Sequence, residues 1–206
     1  MTPKGVEAEM TEKPKLPEPK PVKVPSKTTA LIIVDMQNDF CKKQGKLYVG
    51  PMCDKSIPYL QKLINKARTA KSPIIYTQDW HIPDDPEFKI WPPHTVQDTW
   101  GSQIIDELKP TEKDHLIKKQ KYDGFFRTEL EDLLKKLRVD TVVVAGTVSN
   151  ICVMHTAGSA ALRGYKVVVP IDAISAINDY GQELAIYQMS FLYQAEITTT
   201  DKITFQ

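Results

Sequence analysis

Three residues far apart in the chain could together do nucleophilic chemistry. Cys152 lies in "AGTVSNICVMHTAG" (145–158), Asp35 closes the apolar run "TALIIVD" (29–35), and the segment "IKKQKYDGFFRTEL" offers Lys118, Lys119 or Lys121 at or after the end of a strand. A thiol can attack a carbonyl carbon, a carboxylate can take the thiol proton, and an ammonium can hold the negative charge between them. A helix beginning near Cys152 would add free N–H groups that favour a thiolate and could bind an oxyanion. Taken singly, each residue has a plainer reading. A cysteine is usually a small buried hydrophobe, a strand-terminal aspartate caps a turn, and a lysine after a strand is solvated. Cys41, Cys53 and His115 carry no pattern beyond packing; His155, one helical turn after Cys152, could approach it, with packing within the helix the plainer reading.

A second group lies in "YTQDWHIPDDPEFKIWPPHTVQDTW" (76–100). Asp79 and His81 are two positions apart, and His94 follows in "WPPH". Carboxylate and imidazole suit zinc or a similar divalent ion, although histidines in a loop more often make ordinary hydrogen bonds.

The elements that must position these groups alternate along the chain. Short apolar, β-branched runs at 29–35, 72–79, 114–119, 140–146 and 166–172 read as buried strands, with a last strand over 196–203. Helical spacing is found over 54–71, 127–139 (with Thr128 as N-cap), 149–165 (ending near Gly164) and 182–195. Such alternation predicts an α/β fold with a mostly parallel sheet covered on both faces, and ligands bind beyond the carboxyl ends of its strands. Asp35, Asp79, Lys119 and the segment before Cys152 all fall at such ends. Residues 1–27, rich in Pro, Lys and Glu, read as a flexible tail before a domain over 28–206.

Composition narrows the class. The chain has 206 residues, 27 basic and 26 acidic, and a formal charge of +1, a balance that gives no reason to expect nucleic acid or an anionic membrane as partner. No apolar run is long enough to span a bilayer, and no secretory leader is evident. Three cysteines do not make a disulfide framework, so a reducing, cytoplasmic setting is expected.

The segments "LIIVDMQNDF", "KQKYDGFFRTEL" and "AGTVSNICVMHTAGSAALRGYKVVVPIDA" resemble the isochorismatase-like cysteine hydrolases, a family that includes nicotinamidases and carbamoyl amidases. The resemblance runs from about residue 29 to the end. It implies a doubly wound, six-stranded, mostly parallel sheet with helices on both faces, and a homo-oligomer. It also implies a triad of Asp35, Lys119 and Cys152, which leaves Lys118 and Lys121 exposed, and an oxyanion hole from the N–H groups of Val148 and Cys152 beside a cis Thr147–Val148 bond. Asp79, His81 and His94 match the metal ligands of nicotinamidases, which would call for zinc, iron or manganese and no organic cofactor. Phe40 and Trp91 match the aromatics flanking the substrate ring. Two departures stand out: Thr95 replaces a usual cysteine, and Glu87 replaces a histidine found in some members. The implied activity is hydrolysis of a small amide, nicotinamide first, within NAD salvage. The alternatives are a carbamoyl or ureido substrate, whose carboxylate would need a cation such as Arg127, and a non-catalytic scaffold.

Overall fold

The computed structural model describes residues 14–206. In chain order its main elements are β1 (Val22–Val24), β2 (Thr29–Val34), α1 (Asn38–Cys41), α2 (Pro51–Thr69), β3 (Ile74–Asp79), β4 (His115–Lys119), α3 (Leu130–Lys136), β5 (Thr141–Thr147), α4 (Met154–Leu162), β6 (Lys166–Pro170), β7 (Ile174–Ser175), α5 (Asp179–Phe191), β8 (Glu196–Thr198) and β9 (Ile203–Phe205). Six strands form one ladder in the order β4-β3-β2-β5-β6-β8, and the two-residue β7 pairs with the end of β5. Every pairing is parallel. All residues of β2, β3 and β5 are buried; β2 and β5 are almost wholly apolar, whereas β3 carries Thr77, Gln78 and Asp79 at its carboxyl end.

Chain order moves outward from β2 to β3 and β4 on one side, and from β5 to β6 and β8 on the other. The direction therefore reverses between β2 and β5, and a crevice opens there beyond their carboxyl ends. Asp35 follows β2 directly, and Cys152 lies five residues past the end of β5. Gly146, at φ 119°, lets the two strands come this close, since a Cβ there would lie 2.2 Å from the carbonyl oxygen of Val34.

Several element boundaries differ from expectation. The helix expected over 149–165 opens as a π-helical turn, Ser149–Val153, before α4. α3 is shorter than 127–139, and Thr128 does not cap it strongly: its hydroxyl donates to the carbonyl of Gly124 and accepts only a 3.3 Å contact from the N–H of Leu130. α2 starts at Pro51, because a proline at the first helical turn lacks only a donor that would have no partner there. The strand expected over 196–203 is two: β8 ends the main sheet, and β9 pairs in parallel with β1.

That second pairing corrects the reading of residues 1–27 as a tail throughout. Val22 and Val24 are buried, at 6% and 2% exposure. The N–H of Lys20 donates to the carbonyl of Ile197, that of Val22 to Lys202, and that of Ser26 to Gln206. Alternation at only two apolar positions is too short a signal to outweigh the surrounding prolines and charges. Residues 1–13 lie outside the described residues. No helix among the described residues is long and apolar enough to cross a membrane.

Candidate active site

Asp35, Lys119 and Cys152 meet in the crevice. Lys119 Nζ lies 2.6 Å from Asp35 Oδ2, 3.1 Å from Asp79 Oδ1 and 3.7 Å from Cys152 Sγ. All four side chains are buried. Asp35 takes left-handed backbone, φ 49°, which aspartate tolerates better than most residues. The Thr77 hydroxyl donates to its Oδ1 at 2.7 Å. The peptide bond between Thr147 and Val148 is cis. Val148 precedes the π-helical turn that carries Cys152.

Burial dominates the titration of this group. It raises the Asp35 carboxyl above its ordinary range, with Asp79 acting the same way, while Lys119 and Thr77 pull it down without prevailing. Burial works against the Lys119 charge, but Asp35 and Asp79 reverse this and hold the ammonium firmly protonated. Burial and the nearby carboxylates push the Cys152 thiol well above its usual value, against the opposing pull of Lys119. The expectation of an easily ionised thiolate is therefore corrected: burial holds Cys152 as a thiol, with the Asp35 carboxyl beside it.

Asp79 connects this group to the second one. Ligand atoms of Asp79, His81, Glu87 and His94, all buried, lie within 4.8 Å of one another and could hold a metal ion. The hydrogen bonds suit that use. His81 Nδ1 meets Asp85 Oδ2 at 2.9 Å, and His94 Nδ1 meets the carbonyl of Pro92 at 2.8 Å. In the metal-free protein the protonated His81 donates from Nε2 to Asp79 Oδ2 at 3.0 Å, and His94 Nε2 lies 3.5 Å from the same oxygen; with each Nδ1 engaged elsewhere, Nε2 is the atom left to ligate an ion. Burial lowers the His81 pKa, but Asp79 and Asp85 outweigh it and bring it to about 9. Burial likewise raises Asp79, yet Lys119 and the two imidazoles pull it far below the carboxylate range. Glu87 is held by Lys121 Nζ at 2.9 Å; Lys121 is exposed as expected and still pairs with this group.

A cavity of about 260 Å³ lies between the two groups, lined by Phe40, Trp91, Tyr122, Asp79, Glu87, His94, Val148 and Cys152 and by Lys46–Val49. Phe40 and His94 rings are 5.6 Å apart, and Trp91 Nε1 donates to the Tyr122 hydroxyl at 3.0 Å. Arg127 is not brought here; it lies over the ring of Phe126 and lines a separate hollow. His155 lies tilted against Tyr122, ring centroids 5.8 Å apart, and bonds the Ile151 carbonyl, outside the cavity lining. Cys41 and Cys53 are free and buried.

Sequence reasoning missed the residues that hold the site in register. Gln37 Nε2 donates to the carbonyls of Asp79 and Ser102 at 2.8 and 2.9 Å, and its Oε1 accepts the Asp79 N–H at 2.8 Å. Asp39 accepts the N–H of Thr95 at 2.7 Å and that of Lys46 at 3.0 Å, tying the loop after His94 to the loop over the cavity. Their signal was the polar run "QND" directly after a fully apolar strand, since buried polar side chains must find partners.

The isochorismatase domain model matches residues 29–202, and the chain belongs to that family. It is an enzyme that hydrolyses C–N amide bonds. Among its relatives, the isochorismatase family protein YaaI of Bacillus subtilis is 32% identical over 84% of this chain and 95% of its own. The nicotinamidase of Saccharomyces cerevisiae is 30% identical over 72% of this chain and 88% of its own. Among solved structures, the N-carbamoylsarcosine amidase of Thermoplasma acidophilum superposes with a TM-score of 0.77 at 36% identity, covering 84% of this chain and 97% of its own.

Proposed function

We propose that the protein hydrolyses a small aromatic carboxamide, nicotinamide in the first instance, to the carboxylate and ammonia. The observation that carries the reading is one cavity, of single-ring size, that has a nucleophilic thiol on one wall and a buried Asp/His donor cluster on another. Phe40 and Trp91 flank the space between them. Asp79, His81 and His94 fit a divalent metal, zinc by choice of donors, with Glu87 in reach as a fourth. When bound, such an ion supplies a template that fixes a ring nitrogen.

The chain's own groups perform the steps. The amide carbon sits over Cys152 Sγ. Asp35 accepts the thiol proton as the S–C bond forms and the carbonyl electrons move to oxygen. The N–H groups of Val148 and Cys152 donate to that oxyanion. Asp35 returns the proton to the leaving nitrogen, the C–N bond breaks, and ammonia departs. Water, deprotonated by Asp35, then attacks the thioester carbon, and Cys152 leaves with a proton as the thiol. Lys119 stays charged throughout and keeps Asp35 ionised enough to act as base.

A second reading is favoured by one residue. Lys46 lines the same cavity and has no carboxylate partner among the described residues, so it could receive the carboxylate of an N-carbamoyl or ureido substrate. The experiment is ammonia release from nicotinamide and from N-carbamoylsarcosine, with metal analysis of the same sample. Faster turnover of nicotinamide, with one divalent ion per chain, supports the first reading. Turnover of the carbamoyl compound alone transfers the assignment to the second.

A further inference from the structure

Beside the catalytic cavity, and sharing no lining residue with it, is a hollow of about 210 Å³ beyond the ends of β3 and β4. Trp80, Phe126, Lys118, Lys121, Arg127 and Gln120 line it, together with Lys119. No acidic residue does. Lys119 is neutralised from behind by Asp35 and Asp79, and Lys121 by Glu87. Lys118 and Arg127 make no carboxylate ion pair among the described residues. Their charges rest instead on ring faces: Lys118 Nζ is 3.8 Å from the Trp80 centroid, and Arg127 Cζ is 5.1 Å from that of Phe126. Arg127 also holds left-handed backbone, φ 56°, uncommon for a long side chain. Two cations held over aromatic faces around one hollow, with a third shared and no acid facing them, leave uncompensated positive potential in a concave site.

We infer that this hollow is a second binding site, for a small oxyanion, held by the Arg127 guanidinium and the Lys118 and Lys121 ammonium groups over Trp80 and Phe126. Guanidinium and ammonium donors suit a carboxylate or a phosphate equally in kind. The carboxylate source would be a product of amide hydrolysis, and the phosphate source the free ion. The site does not depend on which amide the catalytic cavity takes.

The test is calorimetric titration of the full chain, at fixed ionic strength, with sodium phosphate in one arm and sodium benzoate in the other. Cys152 is first alkylated with iodoacetamide, so that the catalytic cavity cannot take the carboxylate. Saturable binding of one equivalent is expected in at least one arm, with Kd on the order of millimolar. The tighter arm identifies the source. Lys118→Met combined with Arg127→Asn, the latter suited to left-handed backbone, should weaken that binding by about tenfold or more. Arg127→Asn alone should weaken it by a smaller factor while leaving the thermal transition in place. Absence of saturation in both arms overturns the inference, as does binding that the double variant leaves unchanged.

Discussion

Cys152 is a thiol at rest because burial, with Asp35 and Asp79 nearby, disfavours its anion more than Lys119 favours it. In the proposed reaction its proton therefore leaves during attack, and a carboxyl whose own pKa is raised by burial is a better acceptor than an exposed aspartate. Two outcomes follow for single residues. Iodoacetamide should label Cys152 slowly at pH 7, with a rate that climbs only as pH passes the ordinary thiol value of 9.0; fast labelling at pH 7 with a depressed titration would contradict the buried-thiol account. Thr77→Val removes the hydroxyl that favours the ionised Asp35. The acid limb of kcat/KM should then move to higher pH, and stability should fall by about 1–3 kcal/mol. An unmoved limb would remove Thr77 from the machinery. His81 adds a third. In the metal-free protein it is protonated below about 9. A proton must leave before Nε2 can ligate, so zinc affinity measured by competition with a chelator should rise between pH 6.5 and 8.5, by up to about tenfold per unit. Affinity independent of pH over that range would show that His81 is no ligand.

At the scale of elements, the site is built from strand ends joined by the "QND" turn. Gln37 pins Asp79, and Asp39 pins Thr95 and Lys46. Gly101 is part of that arrangement, because a Cβ there would lie 2.1 Å from Asp39 Oδ2. Gly101→Ala should displace the Asp39 carboxylate and loosen both loops. The expected result is a higher KM and weaker zinc binding, with Cys152 labelling unchanged; a variant normal in KM would show the tie to be incidental. Much of this framework was readable beforehand. Alternating strand and helix patterns gave a mostly parallel sheet, though not its strand order, and three separated motifs singled out Asp35, Lys119 and Cys152, which the fold brings together. The π-helical turn at Ser149–Val153 was not readable, since its side chains fit a helix start equally well. Neither were the buried bonds of Gln37 and Asp39: a polar residue after a strand looks the same in sequence whether it meets water or a backbone carbonyl. Arg127 was misplaced for a related reason. Proximity to "GFF" in the chain says nothing about which of two neighbouring hollows a side chain lines.

Over the whole molecule, β1 and β9 form a second, two-stranded layer outside the main ladder. The segment carrying β1 buries Val22 and Val24, and the Thr198 hydroxyl donates to the carbonyl of Lys20. Its Pro/Lys/Glu-rich surroundings hid this from composition, which averages over neighbours and cannot register two well-placed valines. A chain shortened to begin at Lys27 should unfold at lower denaturant, because it loses the burial of Val22 and Val24 and the backbone hydrogen bonds of the segment and uncovers β9. Its denaturant midpoint measures this; an unchanged midpoint would show that the layer contributes nothing.

The central claim is covalent catalysis at Cys152, and a rapid acid quench followed by peptide mass analysis tests it most directly. Mixed with nicotinamide, the protein should yield a nicotinoyl thioester on the Cys152 peptide and on neither the Cys41 nor the Cys53 peptide, while Cys152→Ala forms no adduct and releases no ammonia. Undiminished ammonia release by Cys152→Ala, or an acyl group found on another residue, would contradict the account.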